Sequence, residues 1–235
     1  MAAAPVALII GAGPNIGAAV AKAFEAKGYK IALAARKLDD GMKENGNLHI
    51  KVDLSEPEKV PSIFEKVKEK LGIPSVVVYN AALRIPSGSD PLESFSVSQF
   101  QTTLAVNTTS AIIAMQESVK AFRQIPTTES RTFIFTGNIL NALVIPSMMT
   151  FGIAKQATAY AINCASQAYK GEMMRFYYAD ERTPEGQPVY TNISGEAAAA
   201  AYVELAERKE QGNWSYLFAK GQGELKLSSE IQALT

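Results

Sequence analysis

A glycine-rich turn near the start of the chain constrains the fold more than any other stretch. Residues 6–10 are all apolar, VALII, which is typical of a parallel β-strand covered on both faces. The turn GAGPNIG follows at once and leads into an amphipathic helical pattern over 16–27. Such a turn directs backbone N–H groups and the positive end of the helix at one point, where a pyrophosphate can bind. We therefore predict a nucleotide-binding loop, although a turn that serves only packing would have the same glycines. The predicted loop residues are Gly11, Gly13, Pro14, Asn15, Ile16 and Gly17.

Apolar runs and helical patterns alternate along most of the chain. The predicted strands cover 6–10, 30–35, 48–52, 75–79, 131–136, 174–178 and 214–218, and the predicted helices cover 16–27, 55–71, 97–122, 152–169 and 194–209. Repeated β-α-β units with right-handed crossovers predict a single doubly wound Rossmann-type α/β domain over 1–235. Its sheet would be mainly parallel and seven-stranded, with helices on both faces. Residues 5–218 would form the core, 179–192 a loop and 219–235 a tail.

In such a sheet ligands bind beyond the carboxyl ends of the strands, so the residues that follow each strand are the candidate site. Arg36 and Lys37 follow the second strand, about 20 residues after the glycine turn, where an acidic residue would hold the ribose hydroxyls of NAD. A guanidinium group can instead bind a 2′-phosphate. We therefore predict NADP(H) in preference to NAD(H), unless the two cations are only the solvated end of a strand.

Polar residues also follow the third and fourth strands. Asp53 precedes Leu54 at the end of the third strand, where a carboxylate can accept from the adenine amino group or cap the next helix. Asn80 and Ala81 follow the fourth strand. The small side chain of Ala81 lets the backbone pass close to a ribose, and the Asn80 amide can tie neighbouring strands together.

Composition excludes several classes of function. Lys and Arg total 23, as do Asp and Glu, so no charge excess predicts a nucleic acid or membrane partner. The only histidine, His49, lies in a predicted strand and argues against a Ser-His-Asp triad or a metal site with several histidines. The only cysteine, Cys164, is predicted to pack in the core. With no disulfide available and no signal peptide recognised, we expect a cytoplasmic protein.

These landmarks together resemble the short-chain dehydrogenase/reductase family over about residues 5–218. The glycine turn matches the family's coenzyme loop except that Asn15 stands in place of the middle glycine. We expect the turn to tolerate this change because asparagine adopts positive φ more readily than most residues. The pair Asp53-Leu54 resembles the family's adenine-contacting pair, and Asn80-Ala81-Ala82 its Asn-Asn-Ala-Gly segment.

The resemblance also implies catalytic positions, and two of them are altered. Phe151-Gly-Ile-Ala-Lys155 falls on the family's Tyr-x-x-x-Lys motif, and Asn138, 13 residues earlier, falls on its serine. Asn107 matches the helical asparagine that helps to hold a water. In the family the tyrosine gives a proton to the carbonyl oxygen, and the lysine binds the nicotinamide ribose. Phe151 has no proton to give, whereas the Asn138 amide can still donate to a developing oxyanion.

Three hypotheses follow. In the first, the chain is an NADP(H)-dependent reductase of a carbonyl or activated C=C bond, with a proton from water, Tyr177, Tyr178 or Asp180. In the second, it catalyses a non-redox isomerisation or cyclisation. In the third, it is a catalytically inactive NADP(H) sensor or partner subunit. The first has more weight because most chains of this fold are redox enzymes, which is an argument by analogy.

The remaining expectations concern partners. The substrate would be a small molecule in a pocket built by the predicted loops 84–95, 138–150 and 179–193, whose charge pattern identifies no ligand. In the family, the helices that correspond to 97–122 and 152–169 pair between subunits. We therefore expect a homodimer or homotetramer.

Overall fold

A computed structural model describes residues 4–226. The strands are β1 Val6–Ile10, β2 Lys30–Ala35, β3 Gly41–Met42, β4 Leu48–Lys51, β5 Pro74–Tyr79, β6 Thr132–Thr136, β7 Arg175–Arg182, β8 Ser215–Ala219 and β9 Gly223–Glu224. The α-helices are α1 Ile16–Ala26, α2 Val60–Lys70, α3 Val97–Leu104, α4 Ser110–Phe122, α5 Met149–Ala168 and α6 Gly195–Glu207. All nine strands form one sheet in the order β3-β4-β2-β1-β5-β6-β7-β8-β9.

The doubly wound Rossmann-type fold is confirmed, but the sheet has nine strands rather than seven. The seven predicted strands are the parallel ones, whereas β3 and β9 pair antiparallel at the two edges. Each edge strand is two residues long, too short to show a hydrophobic period. Strand β9 also lies in the predicted tail, which was therefore wrong over 223–224; residues 227–235 of that tail lie outside the described part.

Helices cover both faces of the sheet. On one face α1 and α6 pack together, with Val20, Phe24 and Tyr202 in the core beneath them. On the other face α2, α4 and α5 bury a second cluster that includes Phe64 and Phe122. Strand order reverses between β1 and β5, so the loops that follow these two strands diverge to opposite faces and leave a crevice between them.

Three sequence predictions need correction. The predicted helix 97–122 is divided by a π-helical turn at Ala105–Thr109. Strand β7 continues to Arg182, so the first four residues of the predicted loop 179–192 belong to the sheet. Cys164 is exposed rather than buried, because its position on α5 faces away from the sheet.

Candidate active site

The glycine loop after β1 lies against the segment that follows β5. Gly11 has φ +96°, and its N–H donates to the carbonyl of Ala34 at 2.8 Å. A Cβ at Gly11 would overlap the backbone nitrogen of Ala81, so only glycine fits. The Asn80 amide donates to the Gly11 carbonyl at 2.7 Å, which confirms the predicted tie between neighbouring strands.

Asn15 fits the loop in a different way from the one predicted. Its φ is −91°, so tolerance of positive φ is not what accommodates asparagine here, and that expectation was wrong. Its side chain makes no capping hydrogen bond to α1. Instead, its Nδ2 donates to the carbonyl of Ile193 at 3.0 Å, and its Oδ1 accepts from the N–H of Gly195 at 3.0 Å.

The other loop positions lie where the sequence predicts them. Helix α1 begins at Ile16, directly after the turn, and the Ala18 N–H donates to the carbonyl of Gly13 at 2.9 Å. A Cβ at Gly17 would lie 2.8 Å from the Cα of Ala12, so the helix starts tightly against the turn. Pro14 is exposed within the turn. These contacts keep the first turn of α1 aimed at the crevice.

The basic pair after β2 and the acidic residue after β4 lie near each other. Arg36 and Lys37 are both exposed. The Asp53 carboxylate accepts hydrogen bonds from the backbone and hydroxyl of Ser55, at 2.9 and 2.8 Å, as a cap does. The backbone hydrogen bond from Ser55 is the main reason that the pKa of Asp53 is lowered, and the charge of Arg36 adds to the effect. Leu54 is buried in the core.

A cavity of about 700 Å³ opens beyond the carboxyl ends of the central strands. Most of its wall surface is apolar, but polar and charged side chains also line it. The lining residues include Ile16, Arg84, Asn138, Phe151, Lys155, Asp180, Glu181, Ile193 and Tyr202. The structure therefore brings together three of the four predicted catalytic residues in one cavity.

Lys155 is a buried amine on the cavity wall. Its side chain is part of a residue only 2% exposed, and its Nζ donates to the carbonyl of Thr136 at 2.9 Å. The Nζ also lies 4.4 Å from the ring centroid of Phe135 and 5.5 Å from that of Phe151. Burial lowers the pKa of Lys155 to about 7, while the negative charge of Asp180 acts in the opposite direction. The amine can therefore change charge near neutral pH.

Asn138 presents an amide to the same cavity. Its Oδ1 accepts from the N–H of Leu140 at 3.1 Å, which orients the side chain. The backbone of Asn138 is held by the Tyr178 hydroxyl, which donates to its carbonyl at 2.7 Å and lies 3.0 Å from its N–H. No acceptor within residues 4–226 bonds its Nδ2, so this N–H donor is available to a ligand.

Only one of the three proton-donor candidates on β7 lines the cavity. Tyr177 lies in the core cluster under α1 and α6, on the opposite face of the sheet. The hydroxyl of Tyr178 is engaged with Asn138, and burial raises its pKa well above the usual value. Asp180 is 3% exposed and lies in the cavity wall.

The environment of Asp180 favours its protonated form. Its Oδ2 accepts from the Nε of Arg182 at 2.5 Å in a buried ion pair. Burial nevertheless raises the pKa of Asp180 to about 6, since desolvation outweighs the attraction of Arg182 and Lys155. The carboxyl group can thus carry a proton close to neutral pH.

Asn107 does not reach the cavity wall. Its side chain donates to the carbonyls of Leu83 and Thr103 at 2.9 and 2.8 Å, and its Oδ1 accepts from the N–H of Leu83 at 3.1 Å. Its own carbonyl accepts from the hydroxyl of Thr158 at 2.8 Å. The structure therefore places this fourth predicted residue behind the wall, where it ties the loop after β5 to the helices. The water-holding role that the resemblance implies stays a prediction.

Tyr202 is a site residue that sequence reasoning missed. It lines the cavity from α6, and its hydroxyl donates to Oγ1 of Thr136 at 2.8 Å. The same Thr136 accepts from Lys155 through its carbonyl, so one residue joins both side chains to the end of β6. Tyr202 directly follows a run of five alanines, 197–201, and this one large side chain after small ones was the signal available in the sequence.

The profile of the short chain dehydrogenase family matches residues 5–177, about three quarters of the chain. The short chain dehydrogenase/reductase dmxR12 of Cryptosporiopsis sp. (strain 8999) is 41% identical over 231 residues, which cover 93% of both proteins. The chain belongs to the short-chain dehydrogenase/reductase family. Members of this oxidoreductase family use nicotinamide coenzymes and small-molecule substrates.

More distant relatives and solved structures agree with this family. Versicolorin reductase stcU of Emericella nidulans is 26% identical over 168 residues, covering 68% of this chain and 61% of that protein. An alcohol dehydrogenase from Thermococcus sibiricus, complexed with 5-hydroxy-NADP, is 24% identical with a TM-score of 0.74, covering 91% of this chain and 95% of that one. A metagenomic short-chain oxidoreductase in complex with NADP gives a TM-score of 0.77 at 17% identity, covering 92% and 97%. These two structures show the shared fold.

Two further features of the described residues concern membranes and metal ions. No helix in the described part of the chain is long and apolar enough to cross a membrane. Within residues 4–226, no cluster of three or more His, Cys, Asp or Glu side chains could hold a metal ion.

Proposed function

We propose that this protein is an NADP(H)-dependent reductase in which Asp180 replaces the family's tyrosine as the proton donor. One observation carries the proposal: a protonatable carboxyl group, a free amide donor and a buried lysine line the same cavity, on Asp180, Asn138 and Lys155. The acceptor is a carbonyl group or an activated C=C bond, since either develops negative charge on an oxygen as it is reduced.

The residues around the glycine loop fit a dinucleotide. The N–H groups of Ile16 and Gly17 at the start of α1 receive no cap from the Asn15 side chain, so they are available to a pyrophosphate, whereas the Ala18 N–H already donates to the Gly13 carbonyl. Arg36 and Lys37 are exposed at the end of β2 and free of carboxylate partners among the described residues, which suits the 2′-phosphate of NADP(H). Lys155 would hold the nicotinamide ribose. When bound, NADPH supplies the hydride.

The chain's own groups account for the proton and the developing charge. The pKa of Asp180 is about 6, so about half of its carboxyl groups carry a proton at pH 6 and about a tenth at pH 7. The Nδ2 of Asn138 stabilises the oxygen as it becomes negative. Phe151 takes no part in proton transfer, and its ring excludes water from the amine of Lys155.

The cavity favours a largely apolar substrate. Its apolar wall includes Ile139, Leu140 and Met148, whereas its charged lining residues carry both signs, on Arg84, Lys155, Asp180 and Glu181. We therefore expect aromatic or alicyclic ketones and enones to bind, because they match the apolar wall. Comparison of each with its carboxylated analogue shows which sign of charge the bound substrate meets.

The direct test is coenzyme binding followed by turnover. NADPH is titrated by fluorescence, and its consumption is then measured with matched pairs of neutral and carboxylated ketones and enones at pH 6. We expect saturable NADPH binding that is tighter than NADH binding, and consumption with apolar ketones or enones. Failure to bind NADPH would contradict the proposal at its first step. Binding without consumption across the panel would instead support a coenzyme-sensing protein.

Proton transfer without hydride transfer is the second candidate. The raised pKa of Asp180 favours it, because a carboxyl group near neutrality can remove a proton from carbon and return it elsewhere. Exchange of substrate hydrogen with D₂O in the absence of NADPH turnover distinguishes this isomerase from the reductase.

Exposed apolar side chains on α4 and α5 support a homo-oligomer. Ile112 on α4 is 41% exposed, and Ile153 and Tyr160 on α5 are 44% and 73% exposed. Light scattering should give a mass of two or four chains rather than 25.3 kDa.

A further inference from the structure

Asn15 joins the glycine loop to the far end of the segment that forms one wall of the cavity. Its Nδ2 donates to the carbonyl of Ile193, and its Oδ1 accepts from the N–H of Gly195, both at 3.0 Å. The two partners lie about 180 residues away in the sequence, at the boundary between the wall segment 188–193 and α6. We propose that Asn15 is a positioning residue that couples coenzyme binding to the position of this wall; the inference rests on the coenzyme site proposed above.

The amide is available for this role because it does not serve α1. Asn15 occupies the N-cap position, where asparagine ordinarily accepts a hydrogen bond from the first turn of its own helix. Here that bond is absent, and both polar atoms of the side chain are directed to the wall and α6. The N–H groups of Ile16 and Gly17 remain available to phosphate, and the Asn15 side chain links the turn to the wall. Glycine, which the family has at this position, could make neither contact.

Gly195 is shaped to receive this side chain. A Cβ at Gly195 would lie 2.6 Å from Oδ1 of Asn15 and 2.9 Å from its carbonyl oxygen. Any side chain there would push α6 away from the turn. Because two of the three nearest atoms belong to the backbone of residue 15, glycine at 195 lets α6 approach the turn whatever side chain stands at 15, and the two hydrogen bonds are what the Asn15 side chain itself adds.

A second anchor connects the same point to the proposed proton donor's strand. The N–H of Ser194 donates to Oε2 of Glu181 at 2.8 Å, and Ser194 also caps α6 by accepting from Ala197 at 3.2 Å. Glu181 follows Asp180 on β7 and lies in the cavity wall. The C-terminal end of the wall segment is thus held by hydrogen bonds to two places, the glycine loop and β7.

Coupling of this kind has a measurable consequence. Ile16, next to Asn15, and Ile193, which accepts its hydrogen bond, both line the cavity. Phosphate binding that fixes the turn also fixes the Ile193 carbonyl and the wall attached to it. Because coupling between two sites is reciprocal, NADPH should reduce the mobility of the wall, although its phosphates bind elsewhere.

Hydrogen–deuterium exchange tests this on the whole protein, with NADPH as the probe. Peptides covering 11–18 report the loop, and peptides covering 188–198 report the wall. In the wild type we expect NADPH to slow exchange in both. In Asn15→Ala, slowing should persist over 11–18 and fall at least about threefold over 188–198, while the Gly195 amide exchanges about tenfold faster without NADPH.

Further variants separate coupling from general loosening. Gly195→Ala disturbs the same contact from the other side, because the added Cβ would meet Asn15, and it should also uncouple the wall. The double variant should be no worse than the more affected single variant, because both act through one contact. Asn45→Ala is the matched control: it also removes an asparagine oxygen that accepts from a backbone N–H, but in an exposed turn between β3 and β4.

The results distinguish the coupling from the coenzyme site. If Asn15→Ala and Gly195→Ala both keep the full NADPH effect over 188–198, Asn15 does not couple the two and the inference is overturned. If the wild type shows no slowing over 11–18, the coenzyme site itself is wrong, and the coupling fails with it. An Asn45→Ala variant that also lost the wall effect would attribute it to general loosening and overturn the specific role of Asn15.

Discussion

The proposed coenzyme side of the crevice, around β1 and β5, and the proposed reaction side, around β6 and β7, are held together by different interactions. Around β1 and β5 the geometry is held by backbone, as where the Gly11 carbonyl accepts from Asn80 and no side chain fits at Gly11. Around β6 and β7 it is held by individual side chains in a buried environment, Asn138, Lys155 and Asp180. A backbone-defined site tolerates a change such as asparagine at position 15. A site that depends on single side chains changes its chemistry with each replacement.

The largest expected effect is at Asp180, where a substitution should change the reaction rate but not coenzyme binding. Asp180→Asn should lower the reduction rate at pH 6 by about 10²–10⁴, the usual contribution of a general acid, because the amide has no proton to transfer. NADPH affinity should change by less than about threefold, since the coenzyme loop is untouched. The wild-type rate should fall as pH rises through about 6, where the Asp180 carboxyl group loses its proton, and the residual rate of the variant should lack this step. Steady-state kinetics from pH 5 to 8 measure both.

The control for Asp180→Asn is on the same strand. Tyr177→Phe removes a hydroxyl from the opposite face of the sheet, where it lies 3.1 Å from the Gly212 N–H, and should keep the wild-type pH profile. Asparagine retains an oxygen acceptor for Arg182, so denaturant unfolding should show the variant folded at the assay temperature. A variant that is folded and as fast as the wild type at pH 6 would remove Asp180 from the mechanism.

The pH dependence of the unfolding free energy shows whether burial of the Lys155 amine lowers the stability of the protein. Burial lowers its pKa from 10.5 to about 7, so its contribution to stability is fully present above 10.5 and is lost as pH falls through 7. Between pH 7 and 9 the unfolded chain binds more protons at this residue, and wild-type stability should gain about 2 kcal/mol from it. Lys155→Met should lose this gain, and the difference between the two unfolding free energies should shift by the same amount.

Urea unfolding at pH 7 and 9 measures this shift. Lys22→Met, which replaces an exposed lysine on α1, is the matched control and should leave the pH dependence unchanged. Equal pH dependence in the wild type and Lys155→Met would mean that the amine is solvated in the folded protein. The cavity would then be wetter on its reaction side than the structure shows.

Restoring the family's tyrosine and serine at positions 151 and 138 should restore the family's route of proton transfer. Phe151→Tyr combined with Asn138→Ser returns a hydroxyl to each altered position, beside Lys155. We expect reduction of simple ketones to rise about 10- to 100-fold, and to persist above pH 7, where Asp180 is ionised. NADPH consumption with a ketone panel measures the gain, and Phe151→Tyr alone shows whether the second hydroxyl is needed. A double variant that gains nothing, while binding NADPH normally, would indicate that the cavity no longer places a carbonyl at these residues.

The sequence predicts the coenzyme side better than the reaction side for physical reasons. Period and length identify the seven parallel strands, and the glycine turn is local in sequence. The end of β7 reads as a loop because Asp180, Glu181 and Arg182 are charged, and only their three-dimensional partners make burial tolerable. The contact between Asn15 and Gly195 spans 180 residues, so no local pattern encodes it. Tyr202 reaches the cavity only because α6 packs against α1 and over β6.

The smallest expected effect is on the coenzyme side, at Arg36, and concerns the ratio of NADPH to NADH affinity. Arg36→Ala should weaken NADPH binding about tenfold and leave NADH binding nearly unchanged, because only NADPH carries the 2′-phosphate that a guanidinium group can hold. Lys66→Ala, which removes the same charge from the exposed surface of α2, controls for the change in net charge. Fluorescence titrations of both coenzymes at two salt concentrations give the ratio directly. If Arg36→Ala weakens both coenzymes equally, the basic pair does not select between them. Coenzyme selection would then depend on single side chains elsewhere, as the chemistry does on the reaction side.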